Sequence, residues 1–267
     1  MPELSRVVVL SPDDFLAWWS KSWEVGQHVA IMGMNGSGKT TLEHFLLLTR
    51  KYILALDAKG YDSSLSAYGW PRTDKWPLPH SMRQAVKDGD PLRVIIGNPA
   101  RSEKQWASNN VLMRRVLKDV FLQGRWTVLV DEGIIIAHRK FVDAGDTLDR
   151  LFITARDRGV SLVYGVQRPS IGRTSPAGLS AFSQSTWVAV SRTRDERVHD
   201  RVAEICGRPK AEMRGLIAAL PKYCWAILGL DPHEPIRLVT PPKLKVVPKS
   251  NATHQSRLSA LVWGGAA

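Results

Sequence analysis

Eight consecutive residues match the G-x-x-x-x-G-K-T pattern of a loop that binds nucleotide phosphates: Gly33, Met34, Asn35, Gly36, Ser37, Gly38, Lys39 and Thr40. Glycines let such a loop turn tightly, so its backbone N–H groups and the positive end of the next helix point at a polyphosphate. Lys39 is expected to reach the β- and γ-phosphates of ATP, and the Thr40 hydroxyl to bind Mg²⁺. Thr41 completes the predicted site. The alternative is a glycine-rich turn that binds nothing.

A pair of acids follows a later apolar segment. Residues 126–130 read as a buried parallel strand, and Asp131 and Glu132 come directly after it. At that end of the strand the acids would face the phosphate loop, where Asp131 would hold Mg²⁺ and Glu132 would orient and activate the attacking water. The alternative is two exposed acids that begin a loop.

The elements that must position these residues alternate along the chain. Apolar runs predict strands, and periodic segments with capping residues predict helices. Strands are expected at 28–32, 52–57, 92–96, 126–130, 160–166, 186–190 and 223–228, with helices from Ser11, after the phosphate loop, and at 103–122, 148–158 and 195–206. Residues 59–90 are predicted to be a long irregular insertion. The pattern indicates an α/β fold, a mainly parallel sheet with helices on both faces.

Three polar residues lie near the predicted strand 160–166. Gln167 follows that strand, where its amide could contact the γ-phosphate and sense its loss. Arg156 and Arg158 precede the strand, and either could reach a neighbouring subunit's nucleotide as an arginine finger. The alternative is that both arginines lie on a solvated helix end, where the helix dipole favours them.

Charge and composition indicate which kinds of partner the protein has. The 267-residue chain carries 37 Lys plus Arg against 25 Asp plus Glu, a net charge of +12. Such a surface attracts polyanions, although a basic balance also serves solubility alone. Residues 1–240 are expected to form one domain, with a Trp-rich helical segment at 1–27. Residues 241–267 contain no acid and read as a basic tail.

Other features exclude classes of protein. The apolar runs are shorter than the 18 or more residues of a membrane span, and the first residues lack the pattern of a signal peptide. We therefore expect a cytoplasmic location. Cys206 and Cys224 lack metal-ligand spacing and are expected to be reduced. The aromatic residues of the first helix, Phe15, Trp18 and Trp19, together with Trp23 beyond it, could cover an adenine ring, but packing into the core is the commoner role.

Four segments in this order resemble the FtsK-HerA superfamily of ring-shaped DNA-translocating ATPases: GMNGSGKTT at 33–41, LDAKG at 56–60, VDE at 130–132, and ARDRGV at 155–160 running on to VQRPS at 166–170. The resemblance covers about residues 25 to 200, although the family usually has Pro where Ala58 stands. It implies a RecA-like P-loop fold, a pentameric or hexameric ring, and ATP hydrolysis between subunits that pulls double-stranded DNA through the pore. Arg156 matches the family's A-R-x-x-G segment, whereas Arg158 occupies a position that is not usually basic.

Within this superfamily, a bare ATPase core with a short basic tail is most similar to the small viral genome-packaging ATPases. That resemblance implies a capsid portal or vertex protein as a further partner and, for a viral protein, the host cytoplasm. Two alternatives stay open: an ATPase of the same superfamily for phage assembly, secretion or DNA transfer, and more distantly a small-molecule kinase. A guanine-nucleotide switch is disfavoured because the chain has no N-K-x-D tetrapeptide.

Basic residues near the predicted ends of strands are candidates for contact with DNA. Contacts to backbone phosphates suffice, because a translocating motor must not prefer a sequence. Each candidate is equally compatible with a solvated surface charge. They are Arg101, Lys104, His138, Arg139, Lys140, Arg168 and Arg173.

Overall fold

The computed structural model describes residues 6–58, 63–166 and 181–243. Within these ranges the strands are β1 (Val7–Val9), β2 (His28–Met32), β3 (Tyr52–Leu56), β4 (Arg72–Thr73), β5 (Leu92–Ile96), β6 (Thr127–Val130), β7 (Ser161–Val166), β8 (Ser185–Ser191), β9 (Trp225–Gly229) and β10 (Ile236–Val239). They form one sheet in the order β1-β10-β9-β8-β2-β7-β6-β3-β5-β4. All pairings are parallel except those of β9, which runs antiparallel to both β8 and β10.

Helices connect most of the strands. They are α1 (Pro12–Ser22), α2 (Lys39–Leu47), α3 (Ser63–Ala67), α4 (His80–Lys87), α5 (Glu103–Gln123), α6 (Gly133–Ala137), α7 (Gly145–Thr154), α8 (Glu196–Ile205) and α9 (Lys210–Ala219), with a short 3₁₀ helix at Arg156–Arg158. None of these helices combines the length and the apolar composition that crossing a membrane requires.

Both faces of the sheet are covered, as the apolar central strands predict. Along β2, Val29 and Ile31 belong to one buried cluster, whereas Ala30 and Met32 belong to the other. This alternation follows from the two-residue period of a strand. The predicted α/β fold is therefore confirmed, and the ends of the strands remain as the edges at which polar residues can gather.

The aromatic face of α1 packs into the core. Phe15 and Trp19 of this helix and Trp23 directly after it are buried, and the Phe15 ring stacks on Phe45 of α2 with ring centroids 5.6 Å apart. Ser11 caps the helix by accepting a hydrogen bond from the backbone N–H of Asp14. The packing interpretation is correct for these three aromatic residues, which are not available to cover an adenine ring.

The prediction of an irregular insertion at 59–90 is wrong for most of its described part. It contains α3, α4 and β4, which extends the sheet by pairing in parallel with β5. Helix α4 has no buried residue, and only Met82 and Val86 pack against the core. Helix α4 is only eight residues long and packs two side chains on the core, so the Pro, Gly and Ser residues around it dominated the sequence signal.

Three other predictions of secondary structure need correction. Helix α7 ends at Thr154, and the predicted helix 148–158 continues as a tight 3₁₀ turn that stops at Gly159, whose φ is +67°. The sequence analysis did not predict β1, β10, α6 or α9, of which β1, β10 and α6 have five residues or fewer. The antiparallel direction of β9 also lay outside the prediction, because direction depends on the path of the intervening chain.

His28 connects β2 to two other elements at the amino-terminal edge of the sheet. Its Nδ1 accepts a hydrogen bond from the backbone N–H of Leu162 at 3.0 Å, and its Nε2 lies 3.2 Å from the carbonyl oxygen of Phe152. This pair of contacts requires a neutral ring with its proton on Nε2. Burial is the main reason that the pKa of His28 falls from 6.5 to about 4.

Acidification is expected to destabilise the fold as the pH falls from 6.5 toward about 4. In this window unfolded His28 binds a proton that folded His28 does not, so stability present above pH 6.5 is lost, by about 3 kcal/mol at most. Denaturant unfolding across this window should show a shallower loss for His28→Asn than for the wild type. His80→Asn, at an exposed position, should keep the wild-type slope. An unchanged slope in the His28 variant would contradict the assignment.

Candidate nucleotide-binding site

The predicted phosphate loop lies between β2 and α2. Gly36 and Gly38 have φ values of +75° and +87°, a left-handed conformation that glycine adopts without steric cost. Gly38 occupies the N-cap position of α2, and no side chain caps the first turn of that helix. The backbone N–H groups in the first turn of α2 therefore point toward the loop, where they and the helix dipole can bind an anion.

Gly33 anchors the start of this loop against the sheet. Its N–H donates to the carbonyl oxygen of Val166 at 3.0 Å. A Cβ atom at Gly33 would lie 2.5 Å from the Trp225 ring and 2.6 Å from the Ser37 hydroxyl. Only glycine fits here, and the loop is therefore held directly over the carboxyl ends of β7 and the neighbouring strands.

Sheet order brings the phosphate loop and the acid pair together. Strand β7 alone separates β2 from β6, so their carboxyl ends are about 10 Å apart. Lys39 crosses this gap: its Nζ donates to the backbone carbonyl of Asp131 at 2.8 Å and forms an ion pair with the Asp131 carboxylate. The predicted proximity of Lys39 and Asp131 is thus present in the structure.

A second carboxylate adjoins this pair. Glu43 of α2 is fully buried, and its Oε1 lies 3.6 Å from the Lys39 Nζ. Gly165 of β7 makes room for these groups, because a Cβ there would lie 2.6 Å from both the Asp131 carbonyl oxygen and the Glu43 Oε1. Lys39 is consequently enclosed by oxygen atoms that fix its ammonium beside the loop.

Glu132 lines a small cavity. Asp57, Leu65 and Asp131 also line it. Strands β3 and β6 pair side by side up to Ala55 and Leu129, and Asp57 and Asp131 each follow two residues later. An ion pair of 2.7 Å with Arg72 holds the Asp57 carboxylate in place. A half-buried carboxylate at this position can accept a proton from a water molecule that attacks a phosphate on the loop.

The residues present fit a magnesium ion that is shared with a nucleotide. Thr40 is half-buried in the first turn of α2, and Asp131 faces the same loop through its contact with Lys39. Among the described residues there is no group of three or more His, Cys, Asp or Glu side chains that could hold a metal by themselves. Magnesium characteristically uses one or two protein ligands together with phosphate oxygens and water.

The two finger candidates lie at the opposite edge of the sheet. The 3₁₀ helix that carries Arg156 and Arg158 precedes β7, whereas the phosphate loop adjoins the carboxyl end of that strand. Six residues of strand separate the two edges by about 17 Å. Arg158 also donates to the carbonyl oxygen of Leu122 at 3.4 Å. Neither arginine can therefore contact a nucleotide bound to the phosphate loop of its own chain.

Three predicted site residues, Gln167, Arg168 and Arg173, lie outside the described residues. Val166, the last described residue of β7, accepts a hydrogen bond on its carbonyl oxygen from the N–H of Gly33 in the phosphate loop. The sensor role of Gln167 therefore stays a prediction.

The remaining DNA-binding candidates come from two segments that the fold brings together. The start of α5 packs against the turn after α6, where the rings of Trp106 and Phe141 meet edge-on with centroids 5.6 Å apart. Asn110 adds a hydrogen bond of 3.1 Å to the Phe141 carbonyl oxygen. We call the resulting region the basic surface; its basic residues are Arg101, Lys104, His138, Arg139 and Lys140.

The sequence analysis did not predict several residues near the loop. Glu43 has a readable signal, because it lies one helical turn after Lys39. Arg192, Arg194 and Tyr223 have none, since they follow or precede strands whose neighbours the sequence does not specify. The structure places all three at the carboxyl-terminal edge of the sheet, on the side of β2 away from Asp131.

Comparison with known proteins gives structural matches only. No protein-family model and no curated protein matches the chain. Among solved structures, it is similar to the genome packaging NTPase B204 of Sulfolobus turreted icosahedral virus 2 in complex with sulfate, at 16% identity and a TM-score of 0.52, over 83% of this chain and 99% of that one. The fold is that of a P-loop NTPase.

Two further structures agree with this fold. B204, the DNA-packaging ATPase of Sulfolobus turreted icosahedral virus, is 16% identical with a TM-score of 0.53, over 83% of this chain and all of that one. VirB4 of Thermoanaerobacter pseudethanolicus is 10% identical with a TM-score of 0.54, over 85% and 91% of the two chains. The RecA-like P-loop fold expected from the sequence is therefore confirmed, and a viral packaging NTPase shares it.

Proposed function

We propose that this protein is an ATP-driven translocase of double-stranded DNA that packages a viral genome. The observation that carries the proposal is the contact of Lys39 with Asp131 beside a glycine loop, with Glu132 next in the chain. A phosphate-binding lysine, a magnesium ligand and a general base then lie around one point. The adjacent carboxylates of Asp131 and Glu132 favour water as the acceptor of the phosphoryl group, and therefore hydrolysis over a kinase reaction.

The chain's own residues account for the steps of hydrolysis. The loop N–H groups and Lys39 bind the phosphates, while Thr40 and Asp131 would hold Mg²⁺, which neutralises charge that develops on the phosphates. Glu132 orients a water molecule and takes its proton as the bond to the γ-phosphate forms. Removal of the γ-phosphate is then sensed by Gln167, and a neighbouring subunit supplies the arginine.

The basic surface supports DNA as the polyanion. Its charges border the carboxyl-terminal edge of the sheet, and the exposed ring of Phe141 lies among them. Helix α6 is only five residues long, with Glu132 at its N-cap and His138 at its C-cap. A shift of Glu132 during hydrolysis would move the 138–140 turn directly, which gives a short mechanical path from ATP to DNA.

The structural comparisons support the packaging role at the level of fold. The chain covers nearly the whole length of B204, whose structures include a complex with ATP-γS at a TM-score of 0.51. The proposal extends to a homo-oligomeric ring and to a portal or vertex protein as the point of attachment. Assembly, secretion or DNA transfer by the same type of ATPase is distinguished by its nucleic acid, because a packaging motor should be stimulated by duplex DNA.

Charge reversal on the basic surface is expected to weaken duplex DNA binding about tenfold or more and to reduce DNA-stimulated ATPase activity. The double variant Arg139→Glu/Lys140→Glu removes two phosphate contacts, so the slope of log affinity against log salt should become about two units shallower. Binding of several unrelated duplexes, measured between about 50 and 200 mM salt, tests both effects.

A matched control separates local contacts from net charge. Lys21→Glu/Lys51→Glu makes the same change in charge near the amino-terminal edge of the sheet, at exposed positions. It should bind DNA nearly as the wild type does. Equal weakening of DNA binding by both double variants would show that overall charge, and not the basic surface, attracts DNA. A wild-type affinity almost independent of salt would contradict contacts to the DNA phosphates.

A further inference from the structure

The position of the acid pair determines which way a nucleotide lies across the loop. Its γ-phosphate must point toward Asp131 and Glu132, which follow β6 on one side of β2. The nucleoside must therefore extend to the other side, over the carboxyl-terminal edge near β8. Residues after β8 and before β9 gather there, because Ser191 pairs with Trp225 at the end of this antiparallel ladder.

Tyr223 occupies this region in a strained conformation. Its φ is +66°, a left-handed value that is uncommon for a residue with a bulky side chain. The Cδ1 atom of its ring lies 3.3 Å from the point where a Cβ on Gly38 would stand, yet 46% of the residue is exposed. Strain that holds an exposed aromatic ring beside a phosphate loop indicates a binding role, since such strain concentrates at functional sites.

A cleft opens on the same side of the loop. It has a volume of about 460 Å³, within the range of small-molecule sites, and it is lined by Met34, Arg192, Thr193, Arg194, Asp195 and Ala218. The Asp195 carboxylate already has partners within the protein, because it caps α8 and forms an ion pair with Arg197. Arg192 and Arg194 are exposed and form no ion pair within the described part of the chain.

We propose that this region binds the nucleoside half of the nucleotide, with the Tyr223 ring stacked on the base and the ribose directed into the cleft beside Met34. The proposal rests on the proposed function and adds the residues that recognise the nucleoside. Lys222 supports the ring, with its ammonium 4.8 Å from the ring centroid. Stacking accepts any base, so Tyr223 should contribute equally to the binding of ATP and GTP.

The test compares ATP with inorganic tripolyphosphate, which has the phosphates but no base. Tyr223→Ala should bind ATP and GTP at least about fivefold more weakly, the lower end of the usual effect of losing one stacked base. Its affinity for tripolyphosphate should equal that of the wild type. Tyr223→Phe, which keeps the ring, should bind ATP normally. Titration calorimetry with Mg²⁺ measures all three ligands.

A glycine variant separates binding from folding. Tyr223→Gly relieves the strained backbone, so its thermal midpoint should stay the same or rise while its ATP affinity falls. Arg125→Gly is the matched control, since Arg125 has a φ of +61° but precedes β6 at the opposite edge. It should leave ATP affinity unchanged.

The possible failures differ. Equal loss of ATP and tripolyphosphate binding in Tyr223→Ala would overturn the proposal, because the ring would then support only the phosphate loop. Unchanged ATP affinity in that variant would overturn it as well. If the wild type bound neither ligand, the proposed function itself would fail.

Discussion

Glu132→Gln is expected to abolish ATP turnover and to leave nucleotide binding intact. The amide has nearly the shape of the carboxylate and can hold a water molecule, but it cannot take the proton that water must lose. Removing a general base costs about 10²–10⁴ in rate. Asp131 and Lys39, to which we assign binding of the metal and the phosphates, are unaltered in this variant. Binding of a fluorescent ATP analogue and steady-state release of phosphate measure the two properties separately.

Glu24→Gln is the matched control for this variant. Glu24 is exposed and precedes β2, so it lies at the edge of the sheet away from the phosphate loop. It should hydrolyse ATP at the wild-type rate. Turnover of Glu132→Gln within a few-fold of the wild type would remove Glu132 from the mechanism, and Asp57 across the cavity would be the next carboxylate to test.

Arg156→Ala is expected to lower turnover by about 10³–10⁵, the effect of losing an arginine finger. Nucleotide affinity should change little, because the finger acts on charge that develops during the reaction. Arg156 lies at the edge of the sheet opposite its own phosphate loop, so a finger role requires the nucleotide of a neighbouring subunit. Arg158 is the second choice, since it already contacts the Leu122 carbonyl and lies 4.8 Å from the centre of the Phe121 ring.

Mixing variants tests whether the site is shared. An Arg156→Ala subunit beside a Glu132→Gln subunit can form an interface with an intact Glu132 from one and an intact arginine from the other. Mixed rings should therefore recover activity that neither variant has alone. If mixed rings form, as native mass measurement would show, and no ratio restores turnover, hydrolysis does not depend on an arginine from the neighbour.

The sequence by itself determined the conformation of the phosphate loop and the presence of most central strands. Strand, glycine loop and helix are contiguous from 28 to 47, so their geometry depends on local backbone preferences and on the absence of a Cβ at Gly36 and Gly38. The acid pair was readable for the same reason, because it directly follows an apolar strand. Short polar elements such as α4 were not predicted, since eight residues with none buried offer few apolar positions to read.

Only the tertiary structure decided which distant residues meet. The order of strands sets β2 one strand away from β6, which brings Lys39 to Asp131, and it places Arg156 at the far edge. The antiparallel return of β9 brings Tyr223 to Gly38. These distances depend on how the chain covers both faces of one sheet. Burial of the whole apolar surface selects that arrangement, and no short segment of sequence contains it.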